Sequence, residues 1–363
     1  MSARLAAGLH CSPFSPILKV VRKGRTVSTA GWISFVLLLC LTLFPAGCRK
    51  AEDQPPPATA TLYTIGILQA VESTTVDDVR RGLLKAFEEA GLRDGVNIRL
   101  LDANARGDTA ELLALAQSFV EQGARLIIPL STPSLQAALI AAPGVPIVFA
   151  SVANPYLAGA GKSADNHLAH ITGVSSLGPI RQMIALIREV VPRARRIGTL
   201  WTPAELNSAY YLEVARESAA ELGAEIIAVP VSGPDEVLPA ARLLLSRKVD
   251  VIYQISDNTI NSAFAMVGRA AEEGGVPLFG GFLRSVELGA CAAMGFDFAE
   301  LGYKAGRLAV RIKNGESPSR IPFEAMEEFT LRINVEAARR QGVDIPPGVL
   351  RRAEVFPAAR GNG

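Results

Sequence analysis

The chain has 363 residues, enough for two to three average domains, and its 49% hydrophobic and 20% charged composition excludes global disorder. Its 37 Lys and Arg against 35 Asp and Glu give a formal charge of +2, but Arg4, Lys19, Arg22, Lys23 and Arg25 fall in the first 48 residues, where no acid occurs. Without that stretch, 32 basic residues face 35 acidic ones, a net of −3, and no Lys/Arg cluster interleaved with aromatics remains to serve a nucleic acid.

Four cysteines, at Cys11, Cys40, Cys48 and Cys291, exclude a disulfide framework and a four-cysteine zinc site. From Thr26 to Cys48 the chain carries no charge, and its apolar centre runs from Trp32 to Phe44. That is short of the roughly 20 residues a membrane span needs and matches the apolar region of a secretory signal behind a basic start. It ends in Leu43-Phe44-Pro45-Ala46-Gly47-Cys48, which resembles the lipobox of bacterial lipoproteins, with Pro45 where that family usually has Leu. The resemblance implies a signal peptide over 1–47, an acylated Cys48 as the new N-terminus, and an extracytoplasmic, membrane-anchored protein. The proline-rich stretch that follows predicts a flexible tether over 48–61. Cys291 is then unpaired in the mature chain and is expected as a small buried residue.

The regular pattern begins at Leu62. Tyr63–Leu68 reads as a buried strand, and Val76–Ala90 as a helix with Val79, Leu83, Leu84 and Phe87 at helical spacing. Strand Val96–Leu101, helix Thr109–Gln122, strand Arg125–Leu130, helix Pro133–Ala141 and strand Val145–Ser151 follow. After Thr172 the alternation restarts: helix Gly178–Val191, strand Arg196–Trp201, helix Asn207–Leu222, strand Glu225–Val229 and helix Asp235–Ser246. Strand Val249–Ile255, helix Thr259–Glu273, strand Val276–Phe279, strand Ala290–Gly295 and helix Phe298–Asn314 come next, then a strand and helix within Met326–Gln341. Strands this apolar between amphipathic helices predict α/β architecture: two Rossmann-like lobes, each a parallel sheet flanked by helices.

In such sheets ligands bind beyond the carboxyl ends of the strands. Those positions hold Glu72, Ser131, Thr132, Asn154, Thr202, Glu205, Asn207, Ser208, Asp257, Asn258, Gly281 and Asp297. Ser, Thr, Asp and Asn there also cap helices, which is the commoner role for any single cluster. Enzyme signals fail. Gly159-Ala160-Gly161-Lys162-Ser163 has Tyr156 where a phosphate loop needs glycine, and Gly173-Val174-Ser175-Ser176-Leu177 has Leu177 where a nucleophile elbow needs one. His167 and His170 lack partner ligands for a metal, and no carboxylate pair stands out as an acid/base couple.

Taken together in order, several runs resemble the ABC-transporter substrate-binding lipoproteins of the TrpX type, whose fold is that of type I periplasmic binding proteins. They include Ile65-Gly66-Ile67-Leu68-Gln69 with Glu72, Ala103-Asn104-Ala105-Arg106-Gly107-Asp108, Ser131-Thr132-Pro133 and Pro146-Ile147-Val148-Phe149. Further runs are Asn154-Pro155, Ile171-Thr172-Gly173-Val174-Ser175, Asn207-Ser208, Asp257-Asn258-Thr259, Phe298–Tyr303 and Leu331-Arg332-Ile333-Asn334. The resemblance spans about Leu62 to Leu350. It implies three crossovers, near Ile171, Phe282 and Ile321, so that lobe one takes 62–170 plus 284–320, lobe two takes 171–283 plus 321–350, and 351–363 is a tail. It further implies closure by hinge motion on an amino acid or related small molecule and docking on a membrane permease; hinge binding of a single ligand needs only a monomer, and no cofactor or metal is expected. Glu72, Thr132, Asn207, Ser208, Asp257 and Asn258 match the ligand-contacting loops of that family, and Asn154 stands where relatives often have Asp. An acid (Asp257, Glu72 or Asp297) is the expected partner of a ligand ammonium group, and Tyr156, Tyr210, Phe282 or Phe296 the expected aromatic wall. A sensor on the same fold, reporting to a membrane receptor, is the alternative.

Overall fold

The computed structural model describes residues 61–356. The expected signal peptide, the lipobox-like Ala46-Gly47-Cys48, the expected tether up to residue 60 and the last seven residues of the expected tail lie outside that range. In chain order the elements are β1 (Tyr63–Gln69), α1 (Thr74–Glu89), β2 (Ile98–Asn104), α2 (Thr109–Glu121), β3 (Leu126–Pro129), α3 (Thr132–Ala141), β4 (Ile147–Val152) and β5 (Ile171–Ser175). Next come α4 (Ile180–Val190), β6 (Arg196–Trp201), α5 (Leu206–Glu221), β7 (Glu225–Pro230), α6 (Val237–Ser246), β8 (Val251–Gln254), α7 (Asn258–Ser262), α8 (Phe264–Gly274), β9 (Leu278–Gly280) and β10 (Ala292–Gly295). The chain ends with α9 (Phe298–Lys313), β11 (Glu324–Ala325), β12 (Thr330–Ile333), α10 (Val335–Arg340), α11 (Pro347–Leu350) and β13 (Glu354–Val355).

Two sheets result. The first, in the order β11-β5-β4-β3-β1-β2, is parallel throughout. The second, β13-β12-β10-β9-β8-β6-β7, is parallel except where β12 runs against β10. Ile65, Ile67, Leu126, Ile127 and Ile128 are wholly buried, as strands covered by helices on both faces must be. Cys291 is buried and its thiol donates to the Leu278 carbonyl at 3.0 Å; burial pushes the thiol up to about 12.

Sheet membership moves the lobe boundaries. β5 pairs with β4 through Ile147↔Ile171 and Val148↔Thr172, so 171–175 belongs to the first lobe, and β11 joins it there through Glu324↔Val174. The segment from Leu283 through β10 packs with the second sheet, whereas α9 returns to the first. The crossings therefore lie at 176–179, 296–297 and 326–329, instead of near Ile171, Phe282 and Ile321. Long-range strand pairing decides this, and no local pattern reports it. At the first crossing the Tyr211 hydroxyl donates to the Ser176 carbonyl at 2.8 Å and accepts the Gly178 N–H at 3.0 Å. The expected helix over 259–273 is also broken, at Ala263, into α7 and α8.

The first lobe is clamped by α1 against α9. A Cβ on Gly82 would stand 1.8 Å from the Ala299 carbonyl oxygen, and one on Gly302 1.9 Å from that of Val79. Only glycine permits this approach, which sets α1 and α9 nearly backbone to backbone. α1 also carries residues that face the second lobe, so its seating positions part of the interface between lobes.

Candidate functional site

Carboxyl-end loops of the two sheets meet around a cavity of about 460 Å³. The first lobe supplies Ala70 and Val71 after β1, Gly107–Thr109 after β2, and Pro133, Gln136 and Ile140 of α3. The second supplies Thr202, Ala204 and Glu205 after β6, Ser232 after β7, and Asn258 and Thr259 after β8. Leu206 packs onto the first lobe's apolar cluster, while Ala153 packs into the cluster of the second lobe.

Glu205 organises the second lobe's side. Its Oε1 accepts the Thr259 N–H at 2.9 Å and the Thr259 hydroxyl at 2.7 Å. Its Oε2 accepts the Asn258 N–H at 3.1 Å, the Asn258 Nδ2 at 2.6 Å and the Asn207 Nδ2 at 3.0 Å. One carboxylate thus ties the β6–α5 loop to the first turn of α7, whose free N–H groups favour a negative charge.

Asp257 lies deeper, 1% exposed. It caps α7 by accepting the Ile260 N–H at 2.8 Å, and it accepts the Thr202 N–H at 2.9 Å and the Thr202 hydroxyl at 3.1 Å. The Thr202 N–H also donates to the Ser208 hydroxyl at 2.9 Å. Burial, with the Glu205 charge nearby, pushes the Asp257 carboxyl up to about 7. Its expected pairing with a ligand ammonium does not fit this geometry, because its oxygens already serve the protein's own donors.

Of the other expected residues, Glu205 and Asn258 line the cavity, whereas Ser131, Thr132, Asn207 and Ser208 are buried and do not line it. Ser131 caps α3 and its hydroxyl shares a hydrogen bond with that of Ser134 at 2.8 Å. Gly281 packs under Ser256, where a Cβ would meet the Ser256 nitrogen at 3.1 Å. Three residues are elsewhere. Glu72 borders a separate depression of about 280 Å³ with Asp77, Arg80 and Asp102, Asn154 caps its own turn by accepting the Tyr156 and Leu157 N–H groups, and Asp297 caps α9. Asp297 also borders a second pocket between the lobes, of about 190 Å³, with Phe282 and Phe296. None of the four expected wall aromatics lines the larger cavity; Tyr156 instead stacks on Phe323.

Strand-end reasoning did not reach Gln136, Leu112, Leu113 or Ile140, which lie a turn or two inside helices. Oγ1 of Thr132, one residue before Pro133 of the wall, and Oδ1 of Asn207, two residues after Glu205, are buried and have no hydrogen-bond partner in the protein. Among the described residues, no helix is long and apolar enough to cross a membrane, and no group of three or more His, Cys, Asp or Glu is placed to hold a metal ion.

Residues 64–356 match the family model described as ABC transporter substrate binding protein. A tyrosine-binding protein of Clostridioides difficile (strain R20291) is 34% identical over 293 residues, 81% of this chain and 85% of that protein. The ABC domain from Streptococcus pneumonia in complex with L-Trp superposes with a TM-score of 0.78 at 26% identity, covering 82% of this chain and 100% of that one. The ligand-free, open structure of a substrate binding protein with adhesive properties from Clostridium difficile gives 0.61 at 30% identity, over 82% and 100%.

Proposed function

The chain belongs to the ABC transporter substrate binding protein family, and on that premise we propose that it is the extracytoplasmic solute-binding component of an ABC importer, which captures an amino acid between its lobes. Membership makes it a binding protein and not an enzyme. The observation that carries the proposal is the cavity itself: about 460 Å³, bounded by loops of both lobes, and lined by polar side chains from each, among them Asp108 and Gln136 on one side and Glu205 and Asn258 on the other. That volume lies within the roughly 300–1,000 Å³ of small-molecule clefts.

An amino-acid ligand is supported by the relatives, one named as tyrosine-binding and one solved with L-Trp. Closure by hinge motion is supported by the closer superposition on the L-Trp complex and by the three chain crossings as pivots. The closed form then docks on a membrane permease. Ala46-Gly47-Cys48 supports a lipid anchor on Cys48 that holds the protein at the membrane. A single cleft of this kind requires only a monomer.

The test is a thermal-shift titration of the purified protein with L-tyrosine, L-tryptophan, the remaining amino acids, sugars and nucleosides. A ligand that binds only the native state raises the midpoint with concentration. A saturable rise with an amino acid is the expected result. A rise with sugars or nucleosides alone overturns the amino-acid assignment.

A further inference from the structure

The charge of the cavity wall narrows what it can hold. Two carboxylates line it, Asp108 from the first lobe and Glu205 from the second, and no Lys, Arg or His does. Even Arg106, the basic residue nearest Asp108 in sequence, is not part of the wall. Asp108 is exposed and caps α2 with one oxygen, its Oδ1 accepting the Ala110 N–H at 2.8 Å and the Glu111 N–H at 3.1 Å. Among the described residues no donor reaches its Oδ2, and no cation pairs with it. Glu205 is 7% exposed, and among the described residues only neutral N–H and O–H donors meet its charge. After burial itself, that charge is the next cause raising the Asp257 carboxyl. Buried charges are ordinarily paired, and here the protein supplies no counter-charge.

A ligand carboxylate meets the opposite situation. Helix N-termini are ready anion seats, but those of the wall are already in use. Asp108 takes the Ala110 and Glu111 N–H groups of α2, Glu205 those of Asn258 and Thr259 in α7, and Asp257 that of Ile260. In the first turn of α3, Pro133 has no N–H and the Ser131 hydroxyl accepts that of Ser134. Thr202, Asn258 and Thr259 donate their side chains to Asp257 or Glu205, and the remaining polar groups of the wall, Thr109, Gln136 and Ser232, are neutral. The rest of the wall is mostly aliphatic, with Val71, Leu112, Leu113 and Ile140.

We propose that the cavity selects its ligand by an ammonium group and not by a carboxylate: Asp108 Oδ2 pairs with the ammonium, the Glu205 charge attracts it from the facing lobe, and the ligand class includes amines that carry the same apolar body as an amino acid but lack its carboxyl group. This rests on the amino-acid reading of the cleft. It sets an order of affinity by charge, with the cationic amine first, the zwitterionic amino acid next and the anionic desamino acid last.

The experiment is calorimetric titration at low salt with tyramine, L-tyrosine and hydroxyphenylpropionate, and with tryptamine, L-tryptophan and indolepropionate. Within each series the body is constant and the charge falls from +1 to −1. The wild type is expected to bind each amine at least as tightly as its amino acid, and each desamino acid on the order of tenfold more weakly than the amine. Asp108→Asn keeps the cap of α2 and removes the charge. It is expected to shrink the preference for amine over desamino acid by about fivefold, the contribution of an exposed ion pair. Asp108→Ser, also a cap without charge, is the second variant, with circular dichroism as the check on folding. Amines that bind more weakly than their amino acids, or a preference that neither variant changes, overturn the inference and leave the amino-acid reading standing. Wild-type protein that binds no member of either series overturns both.

Discussion

Arg284 of the second lobe stands 3.4 Å from the carboxylate of Asp78 on α1 of the first, and Arg81 holds the same oxygen at 2.8 Å from its own helix. Asp78 is nearly covered, whereas the Arg284 side chain keeps 39% of its surface exposed and also reaches Glu287. The pair joins the lobes in the arrangement seen here, so separating them breaks it. At that exposure it contributes up to about 1 kcal/mol, or roughly fivefold in Kd. Arg284→Gln is expected to weaken binding of the cognate amino acid by that factor at low salt. The difference should vanish near 0.5 M salt, at about a 4–5 Å screening length. Equal affinities at low salt would show that the pair does not favour closure.

Asp257 gives the fold a pH signature. Its carboxyl, raised to about 7 by burial and by Glu205, binds its proton more tightly folded than unfolded, where it titrates at about 3.9. Its contribution is therefore fully present below about pH 4 and is lost as pH rises through about 7. Asp257→Asn keeps the cap and removes the titration. The midpoint of the variant is expected to fall less than that of the wild type between about pH 5 and pH 8. Parallel midpoint curves for the two proteins would contradict this assignment.

The glycine contact between α1 and α9 leaves no room for a methyl group. Gly302→Ala forces the helices apart and is expected to destabilise the protein by about 1–3 kcal/mol, with Gly302→Val worse. Urea unfolding measures this directly. Because α1 also carries Asp78, we expect the alanine variant to lose ligand affinity as well.

The proposed lipid anchor is on the sulfur of Cys48. Cys48→Ser is expected to move the protein from the membrane to the soluble fraction and to abolish incorporation of labelled palmitate, with ligand binding by the released protein unchanged. Labelling that persists in the serine variant would place the lipid elsewhere.

Much of the architecture was legible in the sequence because it is written locally. Ile65-Gly66-Ile67-Leu68 and Leu126-Ile127-Ile128 announce buried strands, and β6 runs over the expected Arg196–Trp201. The sheet a strand joins is not local. Nothing within Ile171–Ser175 reveals that it pairs with β4, and β10 looks the same from sequence whichever lobe takes it. The site divides along the same line. Strand-end positions pointed to Glu205 and Asn258, both on the cavity wall. Their roles depend on partners brought together across the chain: Asn258 and Thr259, 53 and 54 positions beyond Glu205, occupy its oxygens. A charge read from sequence gives no hint that it is already spoken for.

The three crossings also govern how the molecule is made. Ser175 bonds to the carbonyl of Glu324, 149 residues later, and Glu89 near the end of α1 receives the hydroxyl of Tyr303, 214 residues later. No contiguous stretch of the chain contains either lobe. As the polypeptide emerges, the face of α1 around Gly82 must wait for α9, exposed and unmatched, while the whole central part of the second lobe is synthesised. Assembly dominated by such distant contacts is slow. Early synthesis therefore ends with an uncovered apolar helix face, and α1, the first helix among the described residues, is among the last to find its place.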